Sequence, residues 1–106
     1  KEFKNLVFKV RHKNLKEVFH LYEFRVKNYK IRDKLVNFLK SKGIDAKIHY
    51  PIPMHLQPAA KVYNIKKGTY PITETIAKST ISLPVHEHLK LKHLKLMINT
   101  IRKFFK

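Results

Sequence analysis

The chain has 106 residues, a length that fits one small domain, and 43 % of them are apolar, which argues against wholesale disorder. Lysine and arginine number 24 against 7 acidic residues, and the resulting net charge of +17 points first to a polyanionic partner. The absence of cysteine excludes a disulfide scaffold, a thiolate metal site and a cysteine nucleophile.

Residues 1–17 are mixed in character, with Leu6-Val7-Phe8 as a short strand candidate. From Val18 to Lys27 the chain is dense in β-branched and aromatic residues, which predicts a strand. His20, Tyr22, Phe24 and Val26 share one face of it, and Leu21, Glu23 and Arg25 the other. A helix is expected from Ile31 to Lys42, where Ile31, Leu35, Phe38 and Leu39 form an apolar stripe. Gly43 sits where a left-handed residue would stop it, and Ile44 to His49 reads as a second strand.

The stretch from Tyr50 to Pro58, YPIPMHLQP, excludes regular structure because its three prolines remove donors and fix backbone angles. A proline-stiffened apolar loop carrying Tyr50, His55 and Gln57 stands equally as the lining of a binding site or as packing over the sheet. A short helical turn at Ala59 to Tyr63 and a turn at Lys66-Lys67-Gly68 follow. Pro71 suits the first position of a helix running to about Thr80. Ile81 to Val85 is a brief strand interrupted by Pro84. The last helix, Leu89 to Phe105, carries Leu91, Leu94, Met97, Ile98, Ile101, Phe104 and Phe105 on one stripe, a core or interface face without chemistry. The expected class is α+β, with helices packed on a small, mainly antiparallel sheet.

The kind of charge matters more than its amount. Only Arg11, Arg25, Arg32 and Arg102 are arginine, and the lysines are scattered from Lys1 to Lys106. Arginine's planar fork reads phosphates and base edges bidentately, whereas lysine offers a point charge. This distribution argues against nucleic acid as the partner and for a lysine-coated surface. No apolar run approaches the ~20 residues of a membrane span and no cleavable leader is recognisable, so a cytoplasmic protein is expected.

The seven histidines offer H-x-H-x4-H at His86, His88 and His93, and H-x5-H at His49 and His55. Neither places two ligands on one helical face as HExxH does, so no metal site is assigned. A GxSxG elbow, a P-loop and a GxGxxG fingerprint are all missing, and Gly43 and Gly68 are the only glycines. Among the few carboxylates, Asp45 and Glu74 alone fall outside obvious surface patterns. The chain taken by itself lacks a catalytic apparatus. Its function should come from a partner surface or from a larger protein.

HLYEFRV at His20 to Val26, the helix ending Lys42-Gly43-Ile44, and above all HYPIPMHLQP at His49 to Pro58 resemble one family. It is the DegT/DnrJ/StrS group of pyridoxal-phosphate-dependent nucleotide-sugar aminotransferases. The resemblance continues through Gly68-Thr69-Tyr70-Pro71 with Glu74, then Leu83-Pro84 and the last helix. It implies that residues 18–106 are the C-terminal small domain of such an enzyme and that 1–17 link it to a large domain. It also implies that the Schiff-base lysine and the acidic partner of the pyridine nitrogen lie in that large domain. No residue of this chain is therefore assigned a catalytic or cofactor-binding role.

By the same resemblance His49, Tyr50 and His55 are the substrate-binding candidates, facing the sugar, or equally bracing the domain interface. The parent enzyme would be a homodimer passing an amino group from glutamate, through pyridoxal phosphate, to a dTDP- or UDP-linked keto-deoxysugar. The HYPxPxHLQP form leans to a 3-keto sugar. The isolated chain is expected to be inactive and to bind no cofactor. The competing expectations are a non-catalytic basic module for nucleic acid and a protein-interaction domain exposing an apolar face.

Overall fold

The computed structural model describes residues 3–106. Its centre is a three-stranded antiparallel sheet in the order β1-β2-β3, with β1 at Leu6–Phe8, β2 at Tyr22–Val26 and β3 at Thr80–Leu83. Three α-helices surround it: α1 at Arg32–Ser41, α2 at Pro71–Ser79 and α3 at Leu91–Phe104. The α+β class expected from the sequence is the class observed.

Register assigns the two faces of the sheet. Leu6 lies opposite Val26, and Phe24 opposite Ile81, so that these four side chains fall on one face. Leu35, Val36 and Leu39 of α1, with Met97 and Ile101 of α3, close over that face to make the core. Glu23, Arg25, Thr80 and Ser82 alternate onto the opposite face. There α2 packs against β2.

β2 is shorter than the Val18–Lys27 run that its composition suggests. Its ladder with β3 ends at the pair Tyr22–Leu83, because Pro84 follows and has no N–H to donate. Val18 and Phe19 accordingly stay exposed in the long β1–β2 connection. That connection is gathered around Arg11, which meets the Glu17 carboxylate at 3.2 Å and lies over the rings of Phe19 and Tyr22.

The expected helix boundaries hold to within about two residues. Gly43 has φ +76° and directs its N–H to the Lys40 carbonyl at 3.0 Å, ending α1 as a left-handed residue. The second strand expected at Ile44 to His49 does not form. Ala46 N–H turns back to the Ile44 carbonyl at 2.8 Å, and what remains is one antiparallel bridge between Lys47 and Ser82. On the α3 stripe Met97 and Ile101 are buried, while Leu91, Leu94 and Ile98 are exposed. Among the described residues no helix is long and apolar enough to cross a membrane.

Leu39 has no solvent exposure. Its truncation to alanine is expected to cost about 2–5 kcal/mol. Gly43→Ala creates no clash but forces a side chain into the left-handed region, a cost of about 1–2 kcal/mol. Equilibrium denaturation of the two variants should give that order.

Candidate functional site

The loop from His49 to Pro58 is fixed at both ends by side chains instead of by a sheet ladder. At its start the Lys47–Ser82 bridge aligns His49 with β3: Lys47 N–H donates to the Ser82 carbonyl at 3.0 Å, and Ser82 N–H returns at 2.8 Å. Two residues further on, His49 Nδ1 is 2.9 Å from Ser82 Oγ. Ser82 Oγ in turn donates to Glu23 Oε1 at 3.4 Å, across the β2–β3 pair. Tyr50 follows with its side chain in solvent, 65 % exposed, and its ring edge-on to His49.

At the other end, a single 3₁₀ turn at Met54–Leu56 delivers His55 to α2. His55 Nε2 donates to Glu74 Oε1 at 3.1 Å, and both side chains are only 7 % exposed. An ionised carboxylate can only accept, so this bond places a proton on Nε2 of His55. The same Glu74 oxygen accepts the Gly68 N–H at 2.6 Å. The Tyr70 ring stands edge-on to the imidazole, with centroids 4.9 Å apart. Glu74 therefore joins three segments: the proline loop, the turn at Gly68 (φ +92°) and the first turn of α2. A carboxylate in that first turn also meets the positive end of the helix dipole.

The Gly68 N–H holds the Glu74 carboxyl below its ordinary value, against the opposing effect of burial, and His55 adds to the lowering. Stability from this group is therefore present above the unfolded carboxylate range. It is lost as the pH falls through the depressed folded value.

The three residues expected to bind substrate are thus brought onto one loop but into different settings. Tyr50 is open, His49 is half-buried against Ser82, and His55 is enclosed by Glu74 and Tyr70. Sequence reasoning did not anticipate Ser82 or Glu23. The available signal was a serine inside the apolar run ISL, directly opposite a glutamate in register. The remaining histidine motif dissolves into local contacts. His93 Nδ1 accepts the Lys90 N–H at the start of α3, and His86 and His88 are exposed. Among the described residues no three potential ligands gather for a metal.

The chain matches the sequence profile of the DegT/DnrJ/EryC1/StrS aminotransferase family over residues 1–102. It belongs to that family. A pleiotropic regulatory protein of Geobacillus stearothermophilus is 37 % identical over 89 residues, covering 84 % of this chain and 23 % of its own length. The dTDP-3-amino-3,4,6-trideoxy-alpha-D-glucose transaminase of Streptomyces venezuelae is 34 % identical over 87 residues, 82 % of this chain and 22 % of the relative. The crystal structure of S. venezuelae DesV in complex with a ketimine intermediate superposes with a TM-score of 0.86 at 29 % identity. That superposition covers 97 % of this chain and 28 % of DesV. The chain thus spans less than a third of each protein it is compared with.

Family membership implies pyridoxal phosphate, and the described residues do not fit that group on their own. A Schiff-base lysine needs a desolvated or charge-flanked setting to be nucleophilic near neutral pH. Every described lysine is exposed.

The Glu74 contacts predict a specific acid limb. As the pH falls below the ordinary carboxylate range, the urea midpoint of the wild-type chain should drop. The Glu74→Gln variant should start lower and change less over the same window, since it has no carboxylate to protonate. Parallel pH curves for the two chains would contradict this assignment.

Proposed function

We propose that this chain is the C-terminal small domain of a nucleotide-sugar aminotransferase whose loop 49–58 forms part of the sugar-binding wall. The parent enzyme would carry an amino group from glutamate to a keto-deoxysugar linked to dTDP or UDP, with a lean to a 3-keto sugar, and would act as a homodimer. On this reading the chemistry of pyridoxal phosphate belongs to residues outside 1–106, and the isolated chain is inactive. The observation that carries the reading is the loop itself. A tyrosine hydroxyl and an imidazole stand at the surface of a segment that two part-buried side-chain contacts hold in place.

The roles divide along the loop. Tyr50 supplies an exposed hydroxyl, able to donate and to accept, and His49 supplies a ring beside it; both suit sugar hydroxyls. His55 belongs to the same site as its anchor, with Nε2 already bonded to Glu74. Pro51, Pro53 and Pro58 reduce the conformations lost when the loop is ordered, which favours a preformed surface. The charge supports this reading better than a nucleic-acid one, since its described lysines are exposed and dispersed over the helices and connections.

Titrating the ¹⁵N-labelled chain with a dTDP-linked hexose should move the amide signals of His49 and Tyr50, with weak affinity in the absence of the large domain. A loop whose signals stay unchanged at saturating sugar nucleotide, while lysine signals elsewhere shift with salt, would refute the site. Incubation with pyridoxal phosphate followed by borohydride should leave no stoichiometric adduct at any single lysine. One fully labelled position would overturn the inactivity of the isolated chain.

A further inference from the structure

The contacts around His49 bear on more than its place, because a carboxylate on the far side of Ser82 competes for its one hydroxyl proton. Ser82 Oγ lies between two partners, His49 Nδ1 at 2.9 Å and Glu23 Oε1 at 3.4 Å. Ser82 is 2 % exposed, so bulk water does not offer its hydroxyl a competing partner. The Glu23 carboxylate has no proton to give and can only accept. The reverse arrangement, Ser82 O–H donating to Nδ1 with the exposed Glu23 hydrated, is the one that would overturn the assignment. The contact as observed gives the hydroxyl proton to Glu23. The shorter contact must then be filled from the other side, with His49 Nδ1–H donating to the Ser82 oxygen. A neutral imidazole protonated on Nδ1 carries its free lone pair on Nε2. Among the described residues nothing donates to that nitrogen.

We infer that Ser82 and Glu23 are positioning residues that hold His49 with its proton on Nδ1, leaving Nε2 as a hydrogen-bond acceptor matched to a hydroxyl donor of the sugar. This rests on the reading that His49 faces the sugar. It sharpens that reading into a selection. A phosphate oxygen is itself an acceptor and finds no proton on Nε2, whereas a sugar hydroxyl donates to it. The diphosphate of the substrate is thereby assigned to other groups, and His49 to the hexose. The relay also explains why a serine occupies a strand position that is almost fully buried. An alanine there would pack equally well but would leave Nδ1 without a partner.

The arrangement is the reverse of that at His55 six residues on, where Glu74 accepts directly from Nε2. Two histidines of one loop are thus set in opposite tautomers, one by a carboxylate in contact and one by a carboxylate acting through a hydroxyl.

The test requires no sugar. Long-range ¹H–¹⁵N correlation spectra of the labelled chain, recorded above the ordinary histidine range, distinguish the two neutral tautomers of each ring. His49 should show the Nδ1–H pattern and His55 the Nε2–H pattern. Ser82→Ala should move His49 toward the Nε2–H form, and Ser82→Thr, which keeps the hydroxyl, should restore the wild-type pattern. Glu23→Gln, whose amide can donate to Ser82, should change the His49 tautomer ratio by about fivefold while His55 stays fixed. Amide signals of Leu39 and Ile81 report whether each variant keeps the core. An Nε2–H pattern for His49 in the wild-type chain would overturn the inference, as would a pattern unmoved by Ser82→Ala and Glu23→Gln. Neither result depends on the sugar-nucleotide titration, so a failure of the tautomer and a failure of the site remain distinguishable.

Discussion

The Glu74 carboxylate is the constraint on which the shape of the loop region depends. Between Ile48 and Tyr70 the backbone makes only short-range bonds, such as Leu56 N–H to the Pro53 carbonyl and Ala60 N–H to the Gln57 carbonyl. Bonds of this kind shape a turn but do not place it on the domain. Prolines restrict the unfolded chain and likewise specify no location. Placement comes from one buried oxygen that accepts from both Gly68 and His55, on a helix whose Arg32 contact ties it to α1 through the Ala77 carbonyl at 2.9 Å. Removing one partner of such a group leaves a buried charge without compensation, which costs more than the bond contributes when made. The loop is therefore held by the penalty of releasing it.

The sheet separates stability from chemistry by its two-residue period. One face presents Leu6, Phe24, Val26 and Ile81 to α1 and α3, and its burial supplies the non-directional stabilisation of the domain. The other face presents Glu23, Thr80 and Ser82, where each buried polar atom needs a partner with defined geometry. A shift of one residue in the β2–β3 register would exchange the two sets completely. The same apolar packing that fixes the register therefore sets Glu23 opposite Ser82, and the Lys47 bridge then brings His49 to that pair.

How far the sequence could be read follows from the range of each interaction. Helices α1 and α2 announce themselves through local signals, an apolar stripe ending at Gly43 and a proline at the first position, and the structure places them there. The end of β2 was not legible, because it is decided by Pro84, more than fifty residues away and visible only once the β2–β3 pairing is known. Ile44 to His49 misled for a related reason: the apolar pattern of a strand is present, but Ala46 turns back on Ile44 and only Lys47 finds a partner. For the site, the loop carrying His49, Tyr50 and His55 stood out by its composition. The residues that control its histidines, Ser82 and Glu74, lie 33 and 19 positions from them, and spacing along the chain says nothing about such distances.

The excess of positive charge gives the acidic residues their meaning. With 24 cations available, three of the six described carboxylates make exposed or half-exposed pairs: Glu17 with Lys9 and Arg11, Asp33 with Arg32, and Asp45 with Lys47. Pairs of this kind contribute about 0–1 kcal/mol and need no special placement. Glu87 sits in solvent beside His88. The two that remain, Glu23 and Glu74, meet no lysine or arginine among the described residues although lysine is abundant. Each is directed instead at a histidine of the same loop, Glu74 in direct contact and Glu23 through Ser82. Chance pairing in so basic a chain would favour a lysine for every acid. Glu87 pairs with a neighbouring exposed histidine; Glu23 and Glu74 instead converge on one segment, the loop that carries His49 and His55.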